Sequence, residues 1–281
     1  MALAIAALAW LVGARLPGAV LAKAVAERIV CAVRLSEDCA AEPRLKAAHG
    51  AELAAMLRAH APTLLYEDGM TALPVDYRRC REDGCAAGGG EGAVSRSNGG
   101  RPVVAFTHVI DCRPGAAAET EAAGADCSGP RARNVYLQYW FYYPGSATGE
   151  GSTPLKKPIR WTSGKLGHSS YHPDDWESYM VRIGPGGRSA RASSHHGYKY
   201  DRFSILGRPG GWGPETGTVY VSGGSHAGRA GSRRSVSRTT KDHRVRLIPI
   251  KSLSGRDLAS FAVSPPWRKR VFGDPEYGGT D

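Results

Sequence analysis

The chain has 281 residues, of which 42% are hydrophobic, and a formal net charge of +11. This length suits one domain of ordinary size, and 36 glycines with 18 prolines favour many turns and short strands over a helical bundle. The positive charge suits an anionic partner such as an acidic lipid headgroup, an acidic glycan or nucleic acid, and a genome rich in Ala, Gly and Arg is the alternative explanation.

The first 22 residues, MALAIAALAWLVGARLPGAVLA, form an apolar segment that contains one charge, Arg15. The segment is long enough to span a bilayer, and the small residues before Lys23 offer a signal-peptidase site. The basic residues that usually open a signal peptide are missing, so a cleaved signal, a membrane anchor and a plain buried helix all stay open. We expect export to the cell envelope or the exterior, with any membrane contact made through this segment.

Residues 23–61 carry apolar side chains at helical spacing, and Pro62 ends this pattern. From residue 62 to residue 265, runs rich in β-branched and aromatic residues alternate with Gly- and Pro-rich turns. These runs include VVAFTHVIDC (103–112), NVYLQYWFYYPG (134–145), WESYMVRI (176–183), GTVYV (217–221) and RVRLIPI (244–250). We predict a mainly β protein, a β-sandwich over 62–265 that follows a helical, membrane-proximal segment and precedes a loose polar tail at 266–281.

The six cysteines fall into three pairs of neighbours along the chain: Cys31 and Cys39, Cys80 and Cys85, Cys112 and Cys127. An even number in turn-like, polar surroundings predicts disulfide bonds and therefore an oxidising compartment. The pairing of neighbours is one of many possible connectivities, and six free thiols in a cytosolic protein are the alternative.

The segment YHPDDWESYMVRI, residues 171–183, begins with a histidine and acids and continues as a strand. Because side chains alternate between the faces of a strand, Asp175 and Glu177 project from one face, with His172 just before them. Carboxylate oxygens with an imidazole suit a divalent cation, which would also relieve the repulsion between the two acids. The alternative is an acidic strand entry that is solvated or paired with Arg182.

Two further histidine segments lie beside glycine at predicted strand ends, SSHHGY (193–198) and VSGGSHAG (221–228). Loops at one end of a sandwich can converge on a common site. We therefore predict a site for Ca²⁺ or Mg²⁺, with Zn²⁺ left open, and we name as its ligands His172, Asp175, Glu177, His196 and His226. His196 and His226 are also the candidates for a catalytic base.

Four segments in this order, YLQYWFYYPGSAT, HPDDWESYMVRI, SSHHGY and YVSGGSHAG, resemble the superfamily of the necrosis- and ethylene-inducing proteins and the vacuolar protein sorting-associated protein 62 family, and within it an actinobacterial branch. The resemblance covers residues 60–250. It implies a β-sandwich related to pore-forming cytolysins, with a divalent cation at the base of a cavity and sphingolipid glycan headgroups as the ligand.

The resemblance also assigns residues. The family's metal-site histidine falls on His172, its two acids on Asp175 and Glu177, and its later histidine on His196. The chain departs from the pattern at two places: a serine, Ser146, follows the aromatic strand where the family has an acid, and Asp174 replaces a second histidine. These departures argue against transferring the toxic activity.

We therefore expect an exported or membrane-anchored β-sandwich protein whose divalent-cation site binds an anionic lipid headgroup or a glycan. A metal-dependent hydrolase of phosphoesters or similar bonds, built on the same residues, is the main alternative. An exported nuclease is a third possibility suggested by the charge, although we expect nucleic acid not to be the partner. The sequence leaves the ligand, the metal and the oligomeric state open.

Overall fold

The computed structural model describes residues 38–67, 73–78, 102–116, 125–147, 171–194, 197–200, 211–222, 224–231, 239–258 and 265–279. The apolar segment 1–22 lies outside these ranges. By its contacts the chain divides into two compact units, Met1–Arg44 and Leu45–Asp281, and of the first unit residues 38–44 are described and are helical. Within the described ranges, no helix combines the length and apolarity that crossing a bilayer requires.

Helix α1 spans Asp38–Ala59 and contains Pro43. It is kinked at Gly50, whose φ of 77° and ψ of 168° are not helical. Such a positive φ is a conformation that glycine adopts without steric cost. Beyond Gly50, Ala54 and Leu57 are fully buried in the core, and the helix ends shortly before Pro62, which cannot donate a helical hydrogen bond.

The described residues after the helix form ten strands, of which the aromatic strand and the HPDDWE strand are the longest. The strands are β1 Thr63–Glu67, β2 Val104–Asp111, β3 Val135–Ala147, β4 Tyr171–Gly184, β5 Gly187–Ser194, β6 Gly197–Lys199, β7 Thr218–Val221, β8 Gly228–Ala230, β9 Thr239–Arg244 and β10 Arg246–Pro249. Short helices α2, Gly255–Leu258, and α3, Arg270–Gly273, follow the strands.

The strands form two sheets, one in the order β8-β7-β1-β9 and one in the order β10-β2-β3-β4-β5-β6. Both sheets are mixed, because β1 pairs with β7 in parallel and β10 pairs with β2 in parallel, whereas the other ladders are antiparallel. The prediction of a mainly β protein is confirmed, and the long β3–β4 ladder sets the position of the HPDDWE segment.

Two main hydrophobic cores account for the near-continuous apolar sequence of β3. The first core contains side chains from both sheets, among them Leu64 and Val219 from the smaller sheet and Tyr139 from the larger one. The second core contains Trp140 and Tyr142 from β3 together with residues from the end of the chain. Because side chains alternate along a strand, a strand between two cores is apolar at nearly every position.

The end of the chain packs against the larger sheet. We call residues 265–279 the C-terminal strap; it contains the 3-10 turn Pro266–Arg268 and helix α3. Val271 is fully buried in the second core, and the Gln138 side-chain amide donates to its carbonyl at 3.0 Å. The sequence predicts a loose tail here. In the structure the segment is packed against the sheet, because side chains distant in sequence donate hydrogen bonds to its backbone.

The disulfide predicted between Cys112 and Cys127 is confirmed. It closes a loop that begins directly after β2 and ends before the 3-10 turn Gly129–Arg131. The amide of Asp126 in this loop donates to the carbonyl of Gly273 in the C-terminal strap, at 3.1 Å. The loop and the strap are therefore connected.

Candidate metal and ligand site

The β3–β4 register brings the acids of HPDDWE opposite the aromatic strand. Tyr143 is the Cα partner of Asp175, and Phe141 is the partner of Glu177. The backbone of His172 pairs with Ser146, the position where the resembling family has an acid. The predicted alternation is observed, since Trp176 between the two acids packs in the second core and Tyr179 beyond them in the first.

Asp175 and His226, which are 51 residues apart in sequence, meet in the interior. Nδ1 of His226 lies 2.9 Å from Oδ2 of Asp175, and the two residues are 1% and 7% exposed. The ring of Tyr143 stacks on the imidazole, with centroids 3.8 Å apart and planes inclined by 2°. The predicted convergence of these two segments is therefore present in the structure.

His226 is presented by a tight turn after β7. The amide of His226 donates to the carbonyl of Ser222 at 3.2 Å, and the amide of Ser222 donates to the carbonyl of Ala227 at 3.1 Å. His226 has a φ of 53° and Gly224 a φ of 74°. The glycine-rich sequence SGGSH permits this backbone, which places an imidazole where a regular strand would not.

The hydrogen bond to Asp175 determines which imidazole nitrogen of His226 carries the lone pair. In a neutral imidazole, Nδ1–H donates to the carboxylate and Nε2 is left as the acceptor. Nε2 of His226 is buried and has no hydrogen-bond partner among the described residues. A carboxylate that orients a histidine in this way is typical of metal-binding and of proton-transferring histidines.

Asp174, next to the site, adopts a positive φ of 54°. Its side chain is not part of the Asp175–His226 hydrogen bond. It accepts a hydrogen bond from Tyr142 Oη at 2.5 Å instead. Of the three described non-glycine residues with positive φ, Asp174 and His226 both belong to this region. Backbone in this conformation concentrates at functional sites because the surrounding structure must hold it there.

The carboxyl of Glu177 has lost much of its hydration, and it lies close enough to Asp175 to be affected by the charge of that residue. Burial, and after it the charge of Asp175, raise the pKa of Glu177 to about 8. The hydroxyl of Ser193 donates a hydrogen bond to Glu177, and it accepts one from the amide of Ser178 at 2.6 Å. Lys269 has a smaller, opposing effect on this pKa. A nearby cation would stabilise the ionised form of a buried carboxyl such as this one.

A pocket with a volume of about 150 Å³ opens beside Glu177. Its walls combine aromatic rings, hydroxyls, one carboxyl and one ammonium group; the lining residues are Trp140, Trp176, Glu177, Ser193, Ser194, Gly197, Tyr198, Lys269 and Gly279. Sites for drug-sized ligands measure roughly 300–1,000 Å³. This pocket therefore suits a group the size of a single sugar ring.

The structure describes the side chains of three of the five predicted ligands. Asp175 and His226 are in contact, and Glu177 lies two positions along β4. The side chains of His172 and His196 lie outside the described residues. Among the residues described, no group of three or more His, Cys, Asp or Glu side chains is arranged to hold a metal ion.

The alternative in which Arg182 neutralises the acids is not observed among the described contacts of Arg182. This side chain donates to Ser189 Oγ at 3.2 Å and forms an ion pair with Glu276 at 3.0 Å. Sequence reasoning missed three residues of the site: Tyr143, Ser193 and Lys269. Tyr143 could have been found from its position opposite Asp175, and Ser193 from its place beside the histidines; no local signal marks Lys269.

Solved structures of NLP toxins, the group of necrosis-inducing proteins that the sequence motifs resemble, are similar to this chain. One is described as "NLPPya in complex with glucosamine"; it is 15% identical over 80% of this chain and 88% of that chain, with a TM-score of 0.40. Another, "NLPPya in complex with mannosamine", has the same values. A third, "Toxin fold as basis for microbial attack and plant defense", is 16% identical over 80% of this chain and 89% of that chain, with a TM-score of 0.39.

No family model matches the chain. No curated protein matches it either.

Proposed function

We propose that this chain is an exported binding protein, a β-sandwich that holds a divalent cation at Asp175, Glu177 and His226 and binds a glycan beside it. Export is supported by the Cys112–Cys127 disulfide, since disulfides persist in oxidising compartments. His172 and His196, which the sequence adds to the ligand set, complete the proposed site.

The contact between Asp175 and His226 is the observation that carries this proposal. Their facing donor atoms are 2.9 Å apart. Two adjacent ligands of an octahedral Mg²⁺ with bonds of about 2.1 Å lie about 3 Å apart, whereas Ca²⁺ with longer bonds spaces them about 3.3–3.6 Å apart. The observed spacing would thus fit Mg²⁺ with little movement, and Ca²⁺ with a small increase in the distance, once the ion takes the place of the proton on Nδ1 of His226. The same spacing serves a hydrogen bond, so the pair is also satisfied without the ion.

Two further features fit a cation. While Nδ1–H of His226 donates to Asp175, Nε2 is a buried acceptor that lacks a partner among the described residues, and it is the alternative nitrogen for an ion or its water. Burial, and after it the nearby charge of Asp175, raise the pKa of Glu177, and a cation would offset the charge of Asp175. A divalent ion would supply positive charge to both carboxylates and would orient the neighbouring loops for ligand binding.

The glycan part of the proposal rests on the pocket beside Glu177. Aromatic rings with a few hydroxyl and charged groups are the usual lining of small-ligand sites, and Trp176, Tyr198 and Ser193 supply such a lining here. Glucosamine and mannosamine, the ligands named for two of the similar structures, are suitable first probes.

A metal-dependent hydrolase is the second candidate, because the Asp175–His226 pair has the arrangement of an oriented general base. A base must reach a substrate proton directly or through one water. The His226 side chain has no exposed surface and is covered by the ring of Tyr143. This burial favours a role in holding an ion over a role in proton transfer.

The test compares the wild-type protein with the Asp175→Asn variant after removal of metal with EDTA. Adding Mg²⁺ or Ca²⁺ at about a hundred times its dissociation constant stabilises the folded state by about 2.7 kcal/mol, which raises Tm by roughly 5–10 °C. We expect this rise in the wild type and its loss in Asp175→Asn.

The matched control is Asp126→Asn, which removes an exposed carboxylate and should keep the full rise. An unchanged wild-type Tm, or an equal rise in Asp175→Asn, would contradict the cation site. Saturation-transfer NMR with glucosamine and mannosamine tests the glycan, and metal-dependent cleavage of bis-p-nitrophenyl phosphate by the wild type would favour the hydrolase.

A further inference from the structure

The C-terminal strap is held in place by a buried arginine. Arg191 is fully buried, and its Nη2 donates to the carbonyls of Pro275 at 2.6 Å and Tyr277 at 2.8 Å. Its guanidinium lies over the rings of Tyr198 and Trp212, 4.2 Å and 4.5 Å from their centroids. The strap therefore has a fixed position against β5, beside the pocket.

The acids of the strap are all engaged with the body of the protein. Glu276 accepts from Tyr136 Oη at 2.8 Å and from Trp212 Nε1 at 2.7 Å, and it pairs with Arg182. Asp274 forms an ion pair with Arg131 at 2.5 Å. The acids of the strap thus serve its attachment.

Lys269 differs from these charged residues. Its backbone is fixed, since its amide donates to the carbonyl of Pro266 at 3.0 Å and its carbonyl accepts from the amide of Phe272 at 3.0 Å. Its side chain lines the pocket, and no described residue forms an ion pair or a side-chain hydrogen bond with it. The strap thus presents to the pocket an ammonium group whose charge acts on Glu177 but which forms no ion pair or side-chain hydrogen bond with a described residue.

The pocket's other walls determine what kind of ligand this ammonium group can meet. Trp140, Trp176 and Tyr198 supply aromatic wall, and Ser193 and Glu177 supply polar side chains for ligand hydroxyls. A neutral ring bound here would take water away from Lys269 without offering an anionic hydrogen-bond acceptor in its place, which is costly. An acid group on the ring would instead form a charge-assisted hydrogen bond with it.

We propose that this pocket binds a single sugar ring that carries an acid group, such as a uronic acid, and that Lys269 is the residue that contacts the acid group. The inference rests on the proposed glycan binding and adds the chemical class of the sugar and a specificity-determining residue. The strap is then a wall of the binding site, and its anchoring by Arg191 fixes where the acid group must lie.

The test measures dissociation constants of glucuronate and glucose by NMR titration for the wild type and for Lys269→Met, which keeps the length of the side chain and removes its charge. A charge-assisted hydrogen bond accounts for about a tenfold preference. We expect the wild type to bind glucuronate about tenfold more tightly than glucose, and Lys269→Met to bind the two sugars equally. Lys269→Arg should keep most of the preference.

Lys251→Met, which removes an exposed lysine from the turn Ile250–Ser252, is the control and should behave as the wild type. A wild type that binds glucose as tightly as glucuronate would overturn this inference and leave glycan binding intact. The same holds for a preference that survives in Lys269→Met. If none of the sugars binds the wild type, glycan binding fails together with the inference, whereas the cation test above is decided separately.

Discussion

Among the described residues, three ionisable side chains that have lost hydration contribute strongly to the response of the protein to pH. Burial lowers the pKa of His108 to about 4, and burial together with the charge of Lys251 lowers that of His49 to about 4. Burial and Asp175 raise the pKa of Glu177 to about 8. As the pH changes, the two histidines and the carboxyl thus change the stability of the folded state in opposite directions.

The sign of each contribution follows from proton linkage. Between pH 6.5 and about 4 the unfolded state binds protons at His49 and His108 that the folded state does not, so stability falls as the pH falls. Between pH 4.5 and about 8 the folded state holds a proton on Glu177 that the unfolded state loses, so stability falls as the pH rises. These two effects together place the maximum near pH 6.5.

We therefore expect the metal-free wild type to be most stable near pH 6.5 and less stable at higher pH. In the Glu177→Gln variant, we expect stability not to fall above pH 6.5. The glutamine keeps an acceptor for Ser193 and cannot ionise. Urea unfolding from pH 5 to pH 9 in EDTA measures this, with Glu52→Gln, an exposed carboxyl on α1, as the control. A Glu177→Gln profile that declines as steeply as the wild type above pH 6.5 would show that Glu177 is not the cause.

At the scale of elements, the C-terminal strap and β5 act together. Arg191 of β5 supplies the donors for two strap carbonyls, and the amide of Tyr198 donates to the carbonyl of Gly278 at 3.4 Å. Among the described residues no carboxylate bonds to Nη2 of this buried arginine, and backbone carbonyls and aromatic rings contact it instead. Replacing it should affect the strap more than the sheet.

We expect Arg191→Met to increase amide hydrogen exchange in residues 273–279 by at least about tenfold while β3 and β4 stay protected, because local opening depends on local contacts. Hydrogen-exchange mass spectrometry measures this directly. Arg188→Met, at an exposed position of the same strand, should leave the pattern unchanged. Equal strap exchange in Arg191→Met and the wild type would mean that the buried guanidinium does not hold the strap.

At the scale of the whole molecule, the Cys112–Cys127 disulfide closes a loop with a sequence separation of 15 residues. Closing a loop of about 15 residues stabilises a protein by about 3 kcal/mol, mainly by restricting the unfolded chain. We expect the double variant Cys112→Ser, Cys127→Ser to lose about this much unfolding free energy in urea under non-reducing conditions. A loss below about 1 kcal/mol would contradict the assignment of a stabilising role.

Much of the architecture could be predicted from the sequence because its signals are local. The period-2 alternation and the β-branched and aromatic runs predict the strands, and the turn residues separate them. The parallel pairs β1–β7 and β10–β2 could not be predicted, because register between distant strands depends on packing that no local pattern records. The strap was missed for the same reason, since its polar, glycine-rich sequence gives no sign of its distant partner Arg191.

The site was predictable in part. The alternation along β4 predicts that Asp175 and Glu177 share a face, and the glycine turn before His226 predicts a histidine presented at a strand end. The direct contact between Asp175 and His226, the stacking of Tyr143 and the approach of Lys269 depend on long-range geometry. Sequence reasoning therefore predicts the chemistry of the donors more readily than their arrangement.

The most direct test of the cation site is a crystal structure of the protein soaked in Mn²⁺, with anomalous diffraction measured at the manganese edge. Mn²⁺ accepts the same carboxylate and imidazole ligands as Mg²⁺ and can be located unambiguously. We expect one strong anomalous peak within about 2.0–2.6 Å of Asp175 Oδ2 and a nitrogen of His226. An intact Asp175–His226 hydrogen bond with no peak beside it at saturating Mn²⁺ would contradict the account.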